Sequence, residues 1–566
     1  MHEQSLGRVP PLFKIKSRCF CAPAIPSVYF LDRQMNKLLA PIHLGLSVLL
    51  VLCSTPALAR QQPGAERKAQ PTAPPPDLGG VKLRYAGVRW SLLYGSYEGV
   101  EEFAVNELQR MVQRSLPYVL ETLPATQTPD AAHNLILIGT PAANPRIAEL
   151  GRQGLLNLPL QPQGYTIACL NPPSQSGRRV IVVAGTDPPG VLYGVMDLNK
   201  KFATLATHDL HLREALDALP EFTLTQAPVI ENRGIWTWGY VIYDYRRFFD
   251  NMARLKMNRL TVWNDVPPIN CRQFIEYAHS RGIKVVLGFS WGYALAKLDP
   301  ANPEHLRLVK EEVLANYDKY YQNLGMDGIY FQTFTEQDNT TLGGRTIASL
   351  ACVWVNDIAR ALLLKHPGLR IEWGLHATSI RDHYQDLQAL DSRLAIMWED
   401  AGDIPFSYDP EAPPPDLNAP TGPNAPDATL DYARKLATFR PGSEFEMCAK
   451  GWIQMRWQTE SEPHGSFIIG ERAREFIRDR LRERQPRWDY VNAKWAANFP
   501  VALRFYREIR ETTSAPLTVV GLIDDGMFEE QIQFSAALLG EMLWNPKRDP
   551  LELLDAALNP CYRIVQ

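Results

Sequence analysis

The chain has 566 residues, 45% hydrophobic and 21% charged, which is more than one ordinary domain holds and enough apolar material for at least two packed cores. Its 59 Lys and Arg against 62 Asp and Glu leave a formal charge of −3. No predicted helix gathers basic residues on one face, so composition excludes the electrostatic footprint of a nucleic-acid binder.

In chain order, residues 1–34 resemble neither a fold nor a targeting signal, and the true start is expected at Met35. Residues 35–59 read as a secretory signal peptide: Lys37, an apolar run from Leu44 to Cys53, and Ala57-Leu58-Ala59 as the cleavage site. The apolar run is shorter than the ~20 residues of a spanning helix. No stable membrane insertion is expected after cleavage, and the mature chain is expected in the periplasm or outside the cell. Residues 60–80, rich in Pro, Gln and Ala, read as a linker. Of eight cysteines, Cys19, Cys21 and Cys53 precede the mature chain. The others (Cys169, Cys271, Cys352, Cys448 and Cys561) are odd in number, widely spaced and free of any C-x-x-C, which argues against a disulfide framework or a zinc site. No metal and no cofactor is expected.

Residues 81–227 predict a small α/β domain. Strands read at "RYAGVRWSLLYG", "NLILIGT", "GYTIACL" and "RRVIVVAGTDP", with helices at "GVEEFAVNELQRMVQRSL" and "GVLYGVMDLNKKF". Residues 228–550 then alternate strand and helix. Strands are predicted at 233–238, 259–264, 284–289, 328–334, 370–376, 394–399, 445–450 and 517–523, each followed by a helical stretch. Eight strands over a little more than about 300 residues fit a (β/α)8 TIM barrel preceded by the small α/β domain. Residues 551–566 are left as a tail. No G-x-G-x-x-G, Walker loop, G-x-S-x-G or H-E-x-x-H stands at a strand exit, which removes the common nucleotide, α/β-hydrolase and zinc-protease readings.

A barrel of this kind builds its site from the C-terminal ends of its strands. Trp236, Trp238, Trp263, Trp291, Trp373, Trp398, Trp452 and Trp457 fall at or just beyond the predicted exits. Indoles there offer flat apolar faces suited to the C–H faces of sugar rings, so a carbohydrate partner is expected. Carboxylates accompany them: Asp265, Glu336, Glu399, Asp400, Asp403, Asp524 and Asp525. Glycoside hydrolysis needs one carboxylic acid to protonate the leaving oxygen and usually a second as base or nucleophile. Glu336, leaving an apolar strand that would desolvate it, is the candidate acid. Asp400 and Asp403 are equal candidates for the second role. Lys450, Arg456 and Arg345 are candidates for holding an anionic sugar substituent, and His376 and His464 are weaker ones.

These segments resemble known enzymes. "GYTIACL…RRVIVVAGTDPPGVLYGVMDL" resembles the α/β domain that precedes the barrel in bacterial β-hexosaminidases and α-glucuronidases, and "RGIWTWGYVIYDYRRFFDNMARLKMNRLTVWND" is similar to the first segment of their barrels. "VGLIDDGMFEEQIQFSAALLGEMLWNP" looks like the last barrel strand and helix of α-glucuronidases. The resemblance implies a glycosidase with Glu336 as general acid. Hexosaminidases carry an Asp-Glu pair at that strand end, whereas Thr335-Glu336-Gln337 here is closer to the Ser-Glu-Gly-Gln of α-glucuronidases. Gln332 stands where that family has a lysine. Lys450-Gly451 stands where it has a glutamate.

Overall fold

The computed structural model describes residues 87–562 apart from 173–176, 209–215, 217–218, 265, 290, 292–298, 337–338, 400–425, 453–464, 526–528 and 560–561. Asp265, Asp400, Asp403, Arg456, Trp457 and His464 therefore lie outside the described residues.

The first domain is a six-stranded sheet in the order β2-β1-β3-β5-β4-β6. Its strands are β1 (Trp90–Tyr94), β2 (Glu121–Pro124), β3 (Asn134–Gly139), β4 (Tyr165–Leu170), β5 (Val180–Gly185) and β6 (Phe222–Gln226). β1, β2, β3 and β5 run parallel, and β4 is antiparallel to both β5 and β6. The central strands β3 and β5 are buried along their whole length, as their unbroken apolar runs require. Helices α1 (Gly99–Ser115) and α3 (Pro188–His208) cover one face, and α2 (Pro145–Arg152) the other. Sequence periodicity misses β2, β6 and α2: the first two are short edge strands, and α2 is a two-turn helix entered from an Asn144 cap and Pro145.

The second domain is a closed barrel. Its strands are β7 (Asn232–Trp238), β8 (Arg259–Trp263), β9 (Lys284–Gly288), β10 (Gly328–Gln332), β13 (Ile371–Leu375), β14 (Ala395–Trp398), β15 (Phe445–Trp452) and β16 (Leu517–Ile523). A two-residue hairpin, β11 (Thr341–Leu342) with β12 (Arg345–Thr346), follows β10. Every barrel pair is parallel, and β16 closes the ring on β7. The outer layer comprises α4 (Tyr245–Arg254), α5 (Cys271–His279), α6 (Pro303–Asn316), α7 (Ile347–Lys365), α8 (Pro426–Thr438), α9 (Arg474–Thr512) and α10 (Phe534–Trp544). The segment read as a tail begins with a helix, α11 (Pro550–Ala557), packed on α10. α7 has the length and hydropathy of a membrane span, and its burial in the barrel's outer core accounts for both.

Side chains alternate between the barrel interior and the helix layer. The interior-facing residues form a small cluster of their own: Trp236, Val286, Tyr330, Met397, Cys448, Val520 and Leu522, with Trp238 and Trp263 packed against it. At the N-terminal floor the same faces present Arg259, Glu372 and Glu446, and Arg259 and Arg370 each pair with both glutamates. Burial pushes Glu446 up to about 8, with Arg259 opposing and Glu372 adding to the effect. This end of a barrel carries stability rather than chemistry.

The two domains meet across α3, α4 and α10. Trp544 stacks on Tyr165 with ring centres 5.8 Å apart, and its indole N–H donates to Gln226 at 2.9 Å. Lys256 Nζ sits 4.3 Å above the same indole and donates to Asp197 at 2.9 Å. Burial pushes Lys256 down to about 8, although Asp197 opposes it.

Candidate active site

At the C-terminal end of the barrel, the last inward position of each strand supplies one wall of the mouth. Along β7 and β8 these are Trp238 and Trp263, paired in register and half-buried. Trp236 lies one layer below, its ring 4.5 Å from that of Trp238. Tyr330 from β10 stands edge-on to Trp236 at 6.0 Å and to Trp263 at 5.9 Å. Together they make an aromatic floor on one side of the mouth.

The opposite side is polar. Continuing the inward phase of β13 (Glu372, Gly374) gives His376, and that of β14 (Ala395, Met397) gives Glu399. Both are buried, with His376 Nε2 3.0 Å from Glu399 Oε2. Gln332, the last residue of β10, donates its amide to the other carboxylate oxygen, Glu399 Oε1, and to the Tyr330 hydroxyl at 3.3 Å. Gly374 leaves the space these groups fill: a Cβ there would meet the Tyr330 hydroxyl at 2.1 Å and Glu399 Oε1 at 2.6 Å. Lys450, half-buried, follows Glu446 and Cys448 on β15, and Asp524, buried, follows Leu522 on β16. One arc therefore carries two carboxylates, one lysine, one histidine and one amide.

Of the candidates named from sequence, Trp236, Trp238, Trp263, His376, Lys450 and Asp524 meet at this mouth. Glu336 lies at the same end, in the turn after β10, and is exposed. The burial against the apolar strand that its position predicts is therefore not found. Thr335 beside it is buried, its hydroxyl accepting from the His376 N–H at 3.3 Å. Arg345 is exposed on the β11–β12 hairpin.

Four tryptophans expected on the rim are core residues instead. Trp291, Trp373, Trp398 and Trp452 are at most 1% exposed and belong to the layer between barrel and helices. Trp291 stacks on Phe331 at 3.6 Å, Trp398 meets Tyr432 at 5.5 Å, and Trp452 stacks on Trp495 at 4.2 Å. Their strand phase is the outward one. Trp452 shares the parity of inward-facing Lys450, but a β-bulge between Ala449 and Trp452 inserts one residue and turns the indole outward. Gly451, at φ 136°, allows that bulge. Asp525, expected to meet substrate, is also corrected: it is buried, and its carboxylate is held by Tyr243, Arg480 and Arg484, leaving no surface for a sugar.

The sequence places Glu399 among the exit carboxylates without a role, and Gln332 only where the similar family has a lysine. No sequence signal singles them out, because apolar residues occupy both phases of these strands and only barrel closure assigns one phase to the interior. Among the described residues, no group of three or more His, Cys, Asp or Glu side chains is placed to hold a metal ion.

Residues 118–200, from just before β2 into α3, match a family described as "S-layer like family, outer domain". Among solved structures, one described as "Structure of CpGH84B" is similar with a TM-score of 0.44 and 11% identity, over 82% of this chain and 70% of that one. Another, "Structure of CpGH84D", gives a TM-score of 0.37 and 10% identity, over 83% of this chain and 89% of that one. No curated protein matches the chain.

Proposed function

We propose that the chain is a glycoside hydrolase, exported by its signal peptide to the periplasm or beyond, whose substrate lies across the barrel mouth. The observation that carries this reading is the two-sided mouth: indoles of Trp238 and Trp263 against an arc of Glu399, His376, Gln332, Lys450 and Asp524. Apolar rings for a sugar's C–H face opposite hydrogen-bonding and charged groups for its hydroxyls are the division of labour that a sugar site needs.

In this reading Glu336 protonates the leaving oxygen from the turn above the mouth. A second carboxylate from the sixth barrel strand takes the proton of the attacking water or attacks the anomeric carbon itself, the separation of the two carboxyls deciding which. Asp400 and Asp403 keep that second role as candidates, and Glu399 joins them because it is already fixed by Gln332 and His376. The α-glucuronidase-like version, with Lys450 facing a uronate carboxylate, is favoured over a β-N-acetylhexosaminidase. The residue before Glu336 is the buried Thr335, which supplies no carboxylate to orient an acetamido group.

The test is turnover of plant and algal oligosaccharides, including uronate-capped ones, by the parent, Glu336→Gln and Glu399→Gln. Loss of about 100-fold or more in each variant supports the roles given. Equal turnover by parent and Glu336→Gln removes Glu336 from the chemistry. The exposure of Glu336 favours one alternative, a carbohydrate-binding barrel without turnover, which predicts calorimetric sugar binding and no product on long incubation.

A further inference from the structure

We propose that Asp525 is a positioning residue that fixes Asp524 in the barrel mouth, a role that rests on the carbohydrate reading of that mouth. Asp525 adopts φ 47°, a left-handed conformation uncommon for a residue other than glycine. Such a conformation persists only where the surroundings over-determine it, and here they do. Its Oδ1 accepts from the Tyr243 hydroxyl at 2.7 Å and from Arg480 Nε at 3.1 Å. Its Oδ2 pairs with Arg480 Nη2 at 2.9 Å and with Arg484 Nε. The two arginines are four residues apart on α9 and so share one face of that helix.

Three elements are thereby pinned at one carboxylate: the end of β16, the helix α9, and the segment leaving β7. β16 and β7 are the pair that closes the barrel, so the clamp sits on the seam. A second tie lies beside it, where buried Glu529 accepts from the Tyr243 backbone N–H at 2.7 Å. Asp524 is the neighbouring residue, its Cα about 3.8 Å away, and, one residue past β16, it continues the inward phase of Val520 and Leu522. With Asp525 turned outward to α9 and held there, Asp524 is left facing the mouth in one orientation.

The test is a double-mutant cycle read by kcat/KM and by calorimetric sugar binding on Asp525→Asn, Asp524→Asn and the double variant. Asparagine tolerates the left-handed backbone, so Asp525→Asn tests the carboxylate rather than the turn. Asp525→Asn alone is expected to lower kcat/KM or affinity about 10- to 100-fold. The double variant is expected to be no worse than Asp524→Asn, because the effect passes through Asp524. Additive losses would mark Asp525 as a general stabiliser and overturn the proposal. A crystal structure of Asp525→Asn provides an arm independent of turnover: the Asp524 carboxylate is expected to shift while the other barrel strands superpose, and an unmoved Asp524 overturns the proposal. If the parent neither binds nor cleaves any sugar, the functional reading fails and the crystallographic arm alone decides the positioning role.

Discussion

Replacing Gly374 by alanine probes how tightly the mouth is built. The added Cβ would lie 2.1 Å from the Tyr330 hydroxyl, 2.5 Å from Tyr330 Cζ and 2.6 Å from Glu399 Oε1. Ordinary contact needs roughly 3.5 Å, so both Tyr330 and Glu399 must retreat by about 1 Å or the strand must bend. Tyr330 has no room, being buried between Trp236 and Trp263 with the backbone of Gly288 close to its ring. Glu399 is held by Gln332 and lies 3.0 Å from His376, so moving it disrupts close polar contacts in a buried site. Overpacking of this kind costs about 1–3 kcal/mol. Replacing glycine stiffens the unfolded chain and returns about 0.4–1 kcal/mol. The net expectation is a loss of about 1–2 kcal/mol in urea unfolding. A displacement near 1 Å at a reacting carboxylate lowers turnover about 100-fold. Gly368→Ala is the control, since a Cβ there meets nothing within 4 Å. A Gly374→Ala protein as stable and as active as its parent would show that Tyr330 and Glu399 have slack, and the account of a preorganised mouth would fall.

Other consequences follow from burial. Burial pushes Glu529 up to about 7 from an ordinary 4.5, the Tyr243 and Asp244 N–H groups only partly offsetting it. A carboxyl raised in this way keeps its proton in the folded state after the unfolded chain has released it, so its contribution is intact below about pH 4.5 and is lost as pH rises through about 7. Glu529→Gln keeps the acceptor and removes the titration. Its stability relative to the parent should rise by roughly 3 kcal/mol over that window, and a pH-independent difference in urea melts would contradict the assignment. For the indoles, Trp398→Ala should destabilise by about 3–5 kcal/mol and leave the affinity of the folded protein for sugar unchanged. Trp238→Ala should do the reverse, weakening calorimetric binding at least tenfold with little change in melting. Equal behaviour of the two variants would erase the distinction between core and mouth.

Much of the architecture was legible in the sequence, because strand and helix periods survive in any environment that buries one face. The eight barrel strands fall within one or two residues of their predicted spans, from Asn232–Trp238 to Leu517–Ile523. What the chain could not reveal was which way each strand faces. A parallel barrel buries both faces of every strand, one in its interior and one under helices, so apolar residues occupy both phases and an indole at a strand exit carries no label of in or out. Closure supplied the label: it sent Trp236, Trp238 and Trp263 inward and Trp373 and Trp398 outward, while a single inserted residue at Lys450-Gly451 reversed Trp452. Closure also brought together Gln332, His376 and Glu399, which stand 44 and 23 residues apart along the chain but share hydrogen-bonding distance across three neighbouring strands. Residue types and their periods thus wrote the barrel, and only the ring of strands, by fixing phase, decided which side chains face one another across its mouth.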